Sequence, residues 1–233
     1  MKKENKIKFT IVNLITFSRV VGSILLPIYY FTKGIKYIGI LVVILFLTDM
    51  VDGKLSRKWK VESFLGALLD SVSDKLFAFV MLAILTYEYP IMLFVILLEF
   101  IIFGINTLAF KENKNIHSSK MGKFKTLILD LNVSILYLIK ARDYFNNIIP
   151  VNVLNFLNKN DYSISLVLTG IIVGTQLLTI SNYSKSRMKQ TTYEKIDKKE
   201  LKSFKEILEL LIDREFYIKN KNENLRKFLY KNI

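Results

Sequence analysis

Long apolar runs separated by short basic connectors dominate this chain of 233 residues. There are six such runs, and each has about the 20 residues that a helix needs to cross the hydrocarbon core of a bilayer. The first run is too long for the apolar core of a signal peptide, so we expect it to be retained. The pattern predicts an all-α integral membrane protein with an N-terminal juxtamembrane segment and six transmembrane helices, over 10–32, 37–56, 65–87, 89–110, 124–146 and 161–184.

The charged residues predict how these helices are oriented. The chain has 34 Lys and Arg against 20 Asp and Glu, a net charge of +14. Most of the basic residues lie in the N-terminus, in 54–60, in 111–125 and after residue 185. By the positive-inside rule, these segments and both termini face the cytoplasm. A basic nucleic-acid module would carry its charge on a polar chain, so we expect a multi-pass protein of the cell membrane with no nucleic-acid partner.

The composition changes near residue 185. Residues 1–184 form the predicted membrane domain, and 185–233 form a basic cytoplasmic tail. Over 194–233, apolar residues recur at helical spacing amid Lys and Glu, which predicts an amphipathic helix. We expect this helix to lie on the anionic inner leaflet, although a dimerising helix would show a similar pattern. The apolar positions are Leu201, Phe204, Leu208 and Leu211.

Four aspartates stand at the edge of the second and third apolar runs. Asp49 and Asp52 are three residues apart and Asp70 and Asp74 are four apart, so each pair shares one helix face. Two antiparallel helices joined by a short connector would bring the four carboxylates together. The chain has no cysteine and one histidine, so a metal would need oxygen ligands, and four carboxylates suit two Mg²⁺ or Mn²⁺ ions. Ion pairs between helices and a proton pathway are the alternative interpretations.

Neighbouring residues indicate a phosphate-bearing substrate. Gly53 and Gly66 lack a Cβ and would let a ligand approach the backbone, although helix packing alone would explain them equally well. Arg57 offers a planar set of donors suited to a diphosphate. Polar residues recur every third position on one face of the first run and should face the same site: Asn13, Thr16 and Arg19.

Residues 49–74 read D-x2-D-G-x2-S-R-x8-G-x3-D-x3-D and closely resemble the signature of the CDP-alcohol phosphotransferase family of membrane enzymes. Ser56 stands where that family usually has Ala. The stretch N-L-I-T-F-S-R at 13–19 is similar to the family's N-x-x-T-x-x-R segment, with Val12 in place of a preceding proline. The resemblance covers about residues 8–184 and leaves the tail unexplained.

The resemblance implies transfer of a phosphatidyl group from CDP-diacylglycerol to an alcohol, with release of CMP. By the same resemblance, Asp49, Asp52, Asp70 and Asp74 bind the metals, and Asp74 is also the general base for the acceptor hydroxyl. Members of the family commonly form homodimers, so the resemblance implies a homodimer here. The residues implied to hold the CDP group are Asn13, Thr16, Arg19, Asp52, Gly53, Arg57 and Gly66.

The stretch S-S-K-M-G-K-F-K-T at 118–126 bears on the acceptor alcohol. Its G-K-x-K-T part is similar to the phosphatidylglycerophosphate synthase branch of the family, whose acceptor is sn-glycerol 3-phosphate. That branch has arginines where this chain has Leu98 and Asn106, so inositol phosphate, another phosphorylated polyol, serine and a second lipid, as in cardiolipin synthesis, stay open. A non-enzymatic membrane scaffold or transporter is the alternative of another class. The candidate acceptor-binding residues are Ser119, Lys120, Lys123, Lys125 and Thr126.

Overall fold

The computed structural model describes residues 3–111, 120–189, 201–221 and 228–229, and this part of the chain is helical. The all-α prediction is therefore confirmed for the described residues. A short 3₁₀ turn, Arg142–Phe145, stands between the fifth and sixth helices. The eight α-helices described are α1 Lys3–Lys33, α2 Ile35–Trp59, α3 Phe64–Glu88, α4 Met92–Lys111, α5 Lys120–Lys140, α6 Val151–Lys189, α7 Phe204–Ile212 and α8 Arg214–Asn220.

Three helical segments are long and apolar enough to cross a membrane by length and composition. They are Lys6–Lys33, Met92–Ala109 and Val151–Ser186, within α1, α4 and α6. The helices α2, α3 and α5 have 25, 25 and 21 residues, and each of them carries several charged side chains. Large apolar side chains such as Phe94 and Val167 are exposed on the outside of the bundle, as expected for helices that face lipid.

The helix bounds differ from the sequence prediction around the fifth and sixth runs. The helix α5 ends at Lys140, where residue 146 was predicted, and α6 begins at Val151, where residue 161 was predicted. Pro150 explains the second difference, because proline favours the beginning of a helix and its carbonyl accepts from the amides of Val153 and Leu154.

A tight connector joins α2 to α3 and brings the end of one helix beside the start of the next. Lys60 adopts a left-handed conformation (φ 55°) that ends α2, and its amide donates to the carbonyl of Arg57. Ser63 caps α3, since its Oγ accepts a hydrogen bond from the amide of Gly66 at 3.0 Å. The carboxyl end of α2 and the amino end of α3 are thereby held at the same end of the bundle.

The six long helices pack in the order α1, α2, α5, α6, α4, α3 around the bundle, with α3 returning to α1. Leu26, Val42, Leu85, Val95 and Leu136 are among the side chains buried between them.

The directions of α3 and α5 decide which residues share an end of the bundle. The Tyr137 hydroxyl donates to the carbonyl of Met81 at 2.9 Å, and the Lys140 ammonium lies 3.4 Å from the Glu88 carboxylate. Both contacts join the carboxyl-terminal halves of α3 and α5, so these two helices run parallel. The amino-terminal turns of α3 and α5 therefore lie at the same end.

A polar cluster fixes the opposite end of the bundle. The Tyr89 hydroxyl donates to Asp161 at 2.5 Å, and the Lys140 ammonium donates to the same carboxylate at 2.9 Å. The ammonium also lies over the Tyr89 ring, 4.3 Å from its centroid. Tyr30 of α1 joins through a 2.9 Å hydrogen bond to Glu88. The cluster ties α1, α3, α5 and α6 together.

Gly39 lies where α2 passes close to α5. A Cβ at this position would lie 2.7 Å from the backbone oxygen of Tyr137 and 2.7 Å from the Cβ of Ala141. Gly39→Ala is therefore expected to push the helices apart and to lower the free energy of unfolding in detergent by about 1–3 kcal/mol. Gly104→Ala is the matched control, because nothing lies within 4 Å of its Cβ position. Equal thermal stability of the two variants would contradict this packing.

The tail departs from the single helix predicted over 194–233. Within the described residues it forms two short helices, α7 and α8, which are separated at Asp213. The Asp213 backbone is extended (φ −72°, ψ 121°), and its carboxylate accepts from the amide of Glu215 at 3.0 Å. This side chain caps α8 and so favours a new helix over continuation of the previous one. Residues 194–200, 222–227 and 230–233 of the predicted helix lie outside the described residues.

Candidate active site

Side chains from α1, α2 and α3 meet around one buried guanidinium. Arg19 of α1 is 1% exposed, and its Nη2 donates to Oδ2 of Asp52 on α2 at 2.8 Å. Thr16, one turn earlier on α1, donates from Oγ1 to the same oxygen at 2.8 Å. Asp52 is 2% exposed, so a buried carboxylate is held by two donors from one helix face.

The same guanidinium reaches the two aspartates of α3. Arg19 Nη2 lies 3.6 Å from Asp70 Oδ1, and Nη1 donates to Asp74 Oδ1. The side chains of Asp70 and Asp74 are 46% and 42% exposed, whereas the Asp52 side chain is 3% exposed. The cluster therefore has a closed side at Asp52 and an open side at α3, from which a polar substrate could reach the carboxylates.

Arginine suits the centre of this cluster for a physical reason. Its planar guanidinium presents several N–H donors in fixed directions, so one side chain can donate hydrogen bonds to carboxylates on different helices. A lysine would offer a single point charge on a flexible stem. The three carboxylates repel one another, and Arg19 is the cation that lies between them.

Two glycines of the signature lie beside other predicted site residues. A Cβ on Gly66 would lie 3.4 Å from Oδ1 of Asn13, so α3 passes close to the polar face of α1. A Cβ on Gly53 would lie 3.9 and 4.0 Å from the guanidinium nitrogens of Arg57. Arg57 is exposed and extends along α2 over Gly53, next to the buried Asp52.

The predicted metal ligands are only partly within the described residues. Asp49 lies on α2, but its side chain is outside what the structure describes. Among the described residues, no three acidic, histidine or cysteine side chains form a ready metal-binding group. The donor chemistry nevertheless fits a divalent cation, because Asp52, Asp70 and Asp74 already converge on one positive charge and carboxylate oxygens are what Mg²⁺ prefers.

The predicted acceptor-binding residues begin α5, at the same end of the bundle as the carboxylates. Ser119 lies outside the described residues, and so does the side chain of Lys120. Lys123 and Thr126 are exposed, and the Thr126 hydroxyl donates to the carbonyl of Gly122 at 3.0 Å.

Lys125 differs from its exposed neighbours. It is buried, and its ammonium donates to both oxygens of Glu99 on α4, at 2.7 and 2.8 Å. Gln176 of α6 donates to the same carboxylate at 2.8 Å. Lys125 thus ties three helices together in this structure.

Sequence reasoning missed two features of the site. Arg19 was assigned to the CDP group, and its contact with three carboxylates was not foreseen. The approach of the tail to the connector at Glu62 was also missed, and its one signal is the aromatic pair Phe216–Tyr217 in an otherwise charged segment.

A comparison with protein-family models decides what kind of protein carries this cluster. The model of the CDP-alcohol phosphatidyltransferases matches residues 9–182, about three quarters of the chain. The chain belongs to the CDP-alcohol phosphatidyltransferase family. It is therefore an enzyme of that family, and the family depends on divalent metal ions. The match includes all of the carboxylate cluster and ends before the tail.

Curated relatives of this phosphatidyltransferase carry two kinds of name. It is 31% identical over 168 residues to a CDP-diacylglycerol–glycerol-3-phosphate 3-phosphatidyltransferase of Aquifex aeolicus, covering 67% of this chain and 87% of the relative. A protein of the same name from Cereibacter sphaeroides is 28% identical over 56% of this chain and 64% of the relative. A cardiolipin synthase and hydrolase fusion protein of Schizosaccharomyces pombe is 36% identical over 29% of this chain and 11% of its own length. No solved structure matches the chain significantly.

Proposed function

We propose that this phosphatidyltransferase moves the phosphatidyl group of CDP-diacylglycerol to sn-glycerol 3-phosphate and releases CMP. The observation that carries the proposal is the convergence of Asp52, Asp70 and Asp74 from two helices, at the family's spacing and open to solvent on one side. The relatives named as glycerol-3-phosphate phosphatidyltransferases support the acceptor. The product would be phosphatidylglycerophosphate.

The reaction exchanges the phosphoanhydride bond of CDP-diacylglycerol for a phosphate ester bond to the acceptor. A hydroxyl oxygen of the acceptor forms a bond to the β-phosphorus of CDP-diacylglycerol, and the bond from that phosphorus to the bridging oxygen breaks. CMP leaves with that oxygen. In our proposal, the proton of the hydroxyl passes to Asp74, whose side chain is on the open side of the cluster.

The chain's own residues bind and orient the nucleotide in this proposal. Arg57 extends over Gly53 and can donate to the diphosphate, and the missing side chain of Gly53 leaves room for it. Thr16 and Arg19 hold Asp52 in place, and Asn13 stands against Gly66. The acyl chains would remain in the bilayer.

The proposed cofactor is Mg²⁺ or Mn²⁺, bound as two ions. Asp49, Asp52, Asp70 and Asp74 would hold them, since carboxylates are the oxygen ligands at hand. When bound, the ions supply positive charge that stabilises the phosphate oxygens during transfer. Arg19 supplies part of the same charge from the protein, and it positions the carboxylates before a cation enters.

Acceptor binding is proposed for the amino-terminal turns of α5. Lys123 is exposed at the end of the bundle that holds the carboxylates, and it can donate to a phosphate. Ser119, Lys120 and Thr126 belong to the same proposed set. Lys125 would join them only if its ammonium left Glu99, so its simpler role is to position α5.

The proposed membrane arrangement extends the three segments that qualify by composition to all six long helices. α2, α3 and α5 would cross the membrane as well, with their charged residues turned to the site or to the two ends of the bundle. Residues 1–184 would form the membrane domain, with both termini and the active site at the cytoplasmic face. The basic tail 185–233 would lie on the same side. We also propose a homodimer.

A second acceptor has its own support. The local similarity to a cardiolipin synthase fusion protein, together with Leu98 and Asn106 at the positions of the missing arginines, favours a lipid acceptor such as phosphatidylglycerol. The chemistry at the carboxylates would be the same.

Mass spectrometry of the lipid product separates these proposals. Purified protein is incubated with CDP-diacylglycerol, Mg²⁺ and a mixture of glycerol 3-phosphate, inositol phosphate, serine and phosphatidylglycerol. We expect phosphatidylglycerophosphate as the product. Cardiolipin as the main product would contradict glycerol 3-phosphate as the acceptor and support a lipid acceptor. Phosphatidylserine or phosphatidylinositol phosphate as the main product would contradict both acceptors.

A further inference from the structure

The tail contacts the connector between α2 and α3 and the first turn of α3, at the active-site end of the bundle. The Phe64 ring, in the first turn of α3, lies 5.8 Å from the Phe216 ring and 5.1 Å from the Tyr217 ring, measured between centroids. Beside them, the Arg214 guanidinium lies 3.6 Å from the Glu62 carboxylate. These contacts place α8 against the connector between α2 and α3, although it follows them by about 150 residues in the sequence.

The tail has internal contacts that hold α8 in this position. Phe216 packs edge-on against Phe228, with 5.0 Å between centroids. The amide of Lys202 donates to the carbonyl of Leu229 at 2.9 Å, which joins the start and the end of the described tail. α7 packs on α3, and a capping box at Ser203 begins it. The tail is therefore a small folded unit that lies on the membrane domain.

Tyr217 brings a phenol close to the charges of the active site. Burial raises its pKa, and the negative charges of Glu62 and Asp70 raise it further, while the positive charge of Arg57 lowers it. Its ring packs on Phe64, less than two helical turns before Asp70 on α3, so the phenol lies at the end of the bundle that holds the carboxylates. A tyrosine hydroxyl keeps its proton at neutral pH and can donate a hydrogen bond there.

We infer that the tail forms one wall of the active site, and that the Tyr217 hydroxyl donates a hydrogen bond to a substrate phosphate bound at this end of the bundle. The inference rests on the proposed function, because it assumes that phosphate-bearing substrates bind at this end. It adds a residue outside the segment matched by the family, which ends at residue 182. Tyr217 is a substrate-binding residue in this account, and Glu62, Phe64 and Arg214 position it.

The ligand that Tyr217 recognises is a phosphate oxygen, and two substrates carry one. The diphosphate of CDP-diacylglycerol would lie at Arg57 on α2, and the phosphate of glycerol 3-phosphate would lie nearer α5. Tyr217→Phe removes the hydroxyl and keeps the ring against Phe64, so the fold of the tail should be unaffected. Tyr162→Phe is the matched control, since Tyr162 is 58% exposed on α6.

Steady-state kinetics of CMP release test the hydrogen bond. We expect Tyr217→Phe to raise KM for one substrate about tenfold, the usual effect of losing a hydrogen bond to a charged group, with kcat within about twofold. A rise confined to CDP-diacylglycerol assigns the bond to the diphosphate, and a rise confined to glycerol 3-phosphate assigns it to the acceptor. Unchanged KM values for both substrates, equal to those of Tyr162→Phe, would overturn the role of Tyr217.

Chemical cross-linking tests the wall independently of activity. The chain has no cysteine, so a variant with Glu62→Cys and Arg214→Cys has only two thiols. A short bifunctional thiol reagent should link them in the full-length protein. The pair Glu62→Cys and Ile148→Cys is the control, because Ile148 lies in the α5–α6 connector at the opposite end and is exposed.

The two tests separate failure of this inference from failure of the proposed function. Absence of the Glu62–Arg214 link, or equal linking in the control pair, would overturn the wall even if the enzyme were fully active. If the link formed but CDP-diacylglycerol gave no CMP with any acceptor, the position of the tail would be confirmed. The proposed function, and with it the binding of a substrate phosphate by Tyr217, would be contradicted.

Discussion

Asp74→Asn is expected to abolish phosphatidyl transfer while leaving the helical bundle folded. The amide has nearly the same shape as the carboxylate, but it cannot accept the proton of the acceptor hydroxyl, and it is a poorer ligand for a divalent cation. Loss of general-base catalysis alone lowers kcat about 10²–10⁴-fold. The rate of CMP release at saturating substrates measures the effect.

The stability of this variant should change little. Asp74 is 42% exposed on its side chain, and Arg19 would still pair with Asp52 at 2.8 Å. Asp143→Asn, at an exposed site in the 3₁₀ turn, is the control for adding an amide and should keep the native kcat. Near-native turnover in Asp74→Asn would show that Asp74 is not the general base, even if the protein catalyses phosphatidyl transfer.

Replacement of Arg19 should have the largest effect on stability. Arg19→Met keeps an apolar stem of similar length but leaves the buried Asp52 without its guanidinium. Removing one partner of a buried ion pair costs about 3–5 kcal/mol, because the remaining Asp52 carboxylate keeps its charge and its hydrogen bond from Thr16 but loses the cation beside it. We therefore expect a marked fall in the temperature of unfolding in detergent, measured with a chelator present so that no divalent cation replaces the lost charge.

A second substitution should reverse part of this loss. Asp52→Asn in the Arg19→Met protein removes the buried negative charge, so the double variant should be more stable than Arg19→Met alone. Mg²⁺ should also raise the unfolding temperature of Arg19→Met, since a cation that binds the carboxylates stabilises the folded state. If Arg19→Met unfolded at the native temperature, or if the two substitutions destabilised additively, Arg19 would not be the cation that stabilises this cluster.

The sequence predicted the acid cluster because its signal is local. The spacings of Asp49, Asp52, Asp70 and Asp74 predict which pairs share a helix face, and a connector of four residues leaves two adjacent helices few ways to pack. The approach of Asp52 to Asp70 and Asp74 follows from these constraints, whereas the contact of all three with Arg19 of α1 does not. The position of Asp49's side chain stays a prediction.

Partners on distant helices could not be predicted in this way. Periodicity places Arg19 on the polar face of α1, but the rotation of α1 against α2 and α3 decides whether it meets the substrate or the carboxylates. Lys125 is a similar case. Its neighbours Lys123 and Thr126 are exposed, whereas the packing of α4, α5 and α6 buries Lys125 against Glu99.

The tail shows the same limit of sequence reasoning. Its apolar spacing predicts one helix, but the Asp213 side chain caps α8 and divides the segment into two helices. Phe204 is 81% exposed on α7, so the expected contact of this face with the inner leaflet stays a prediction. Contact between Phe64 and Tyr217 depends on tertiary structure alone, because neither residue belongs to a recognisable motif.

The measurement that tests the central claim most directly is the release of CMP by the purified wild-type protein in detergent. With CDP-diacylglycerol, we predict stoichiometric formation of CMP and of a new phospholipid only when an acceptor alcohol and Mg²⁺ or Mn²⁺ are both present. Absence of CMP with every acceptor in the panel, or equal release in the presence of a chelator, would contradict the account.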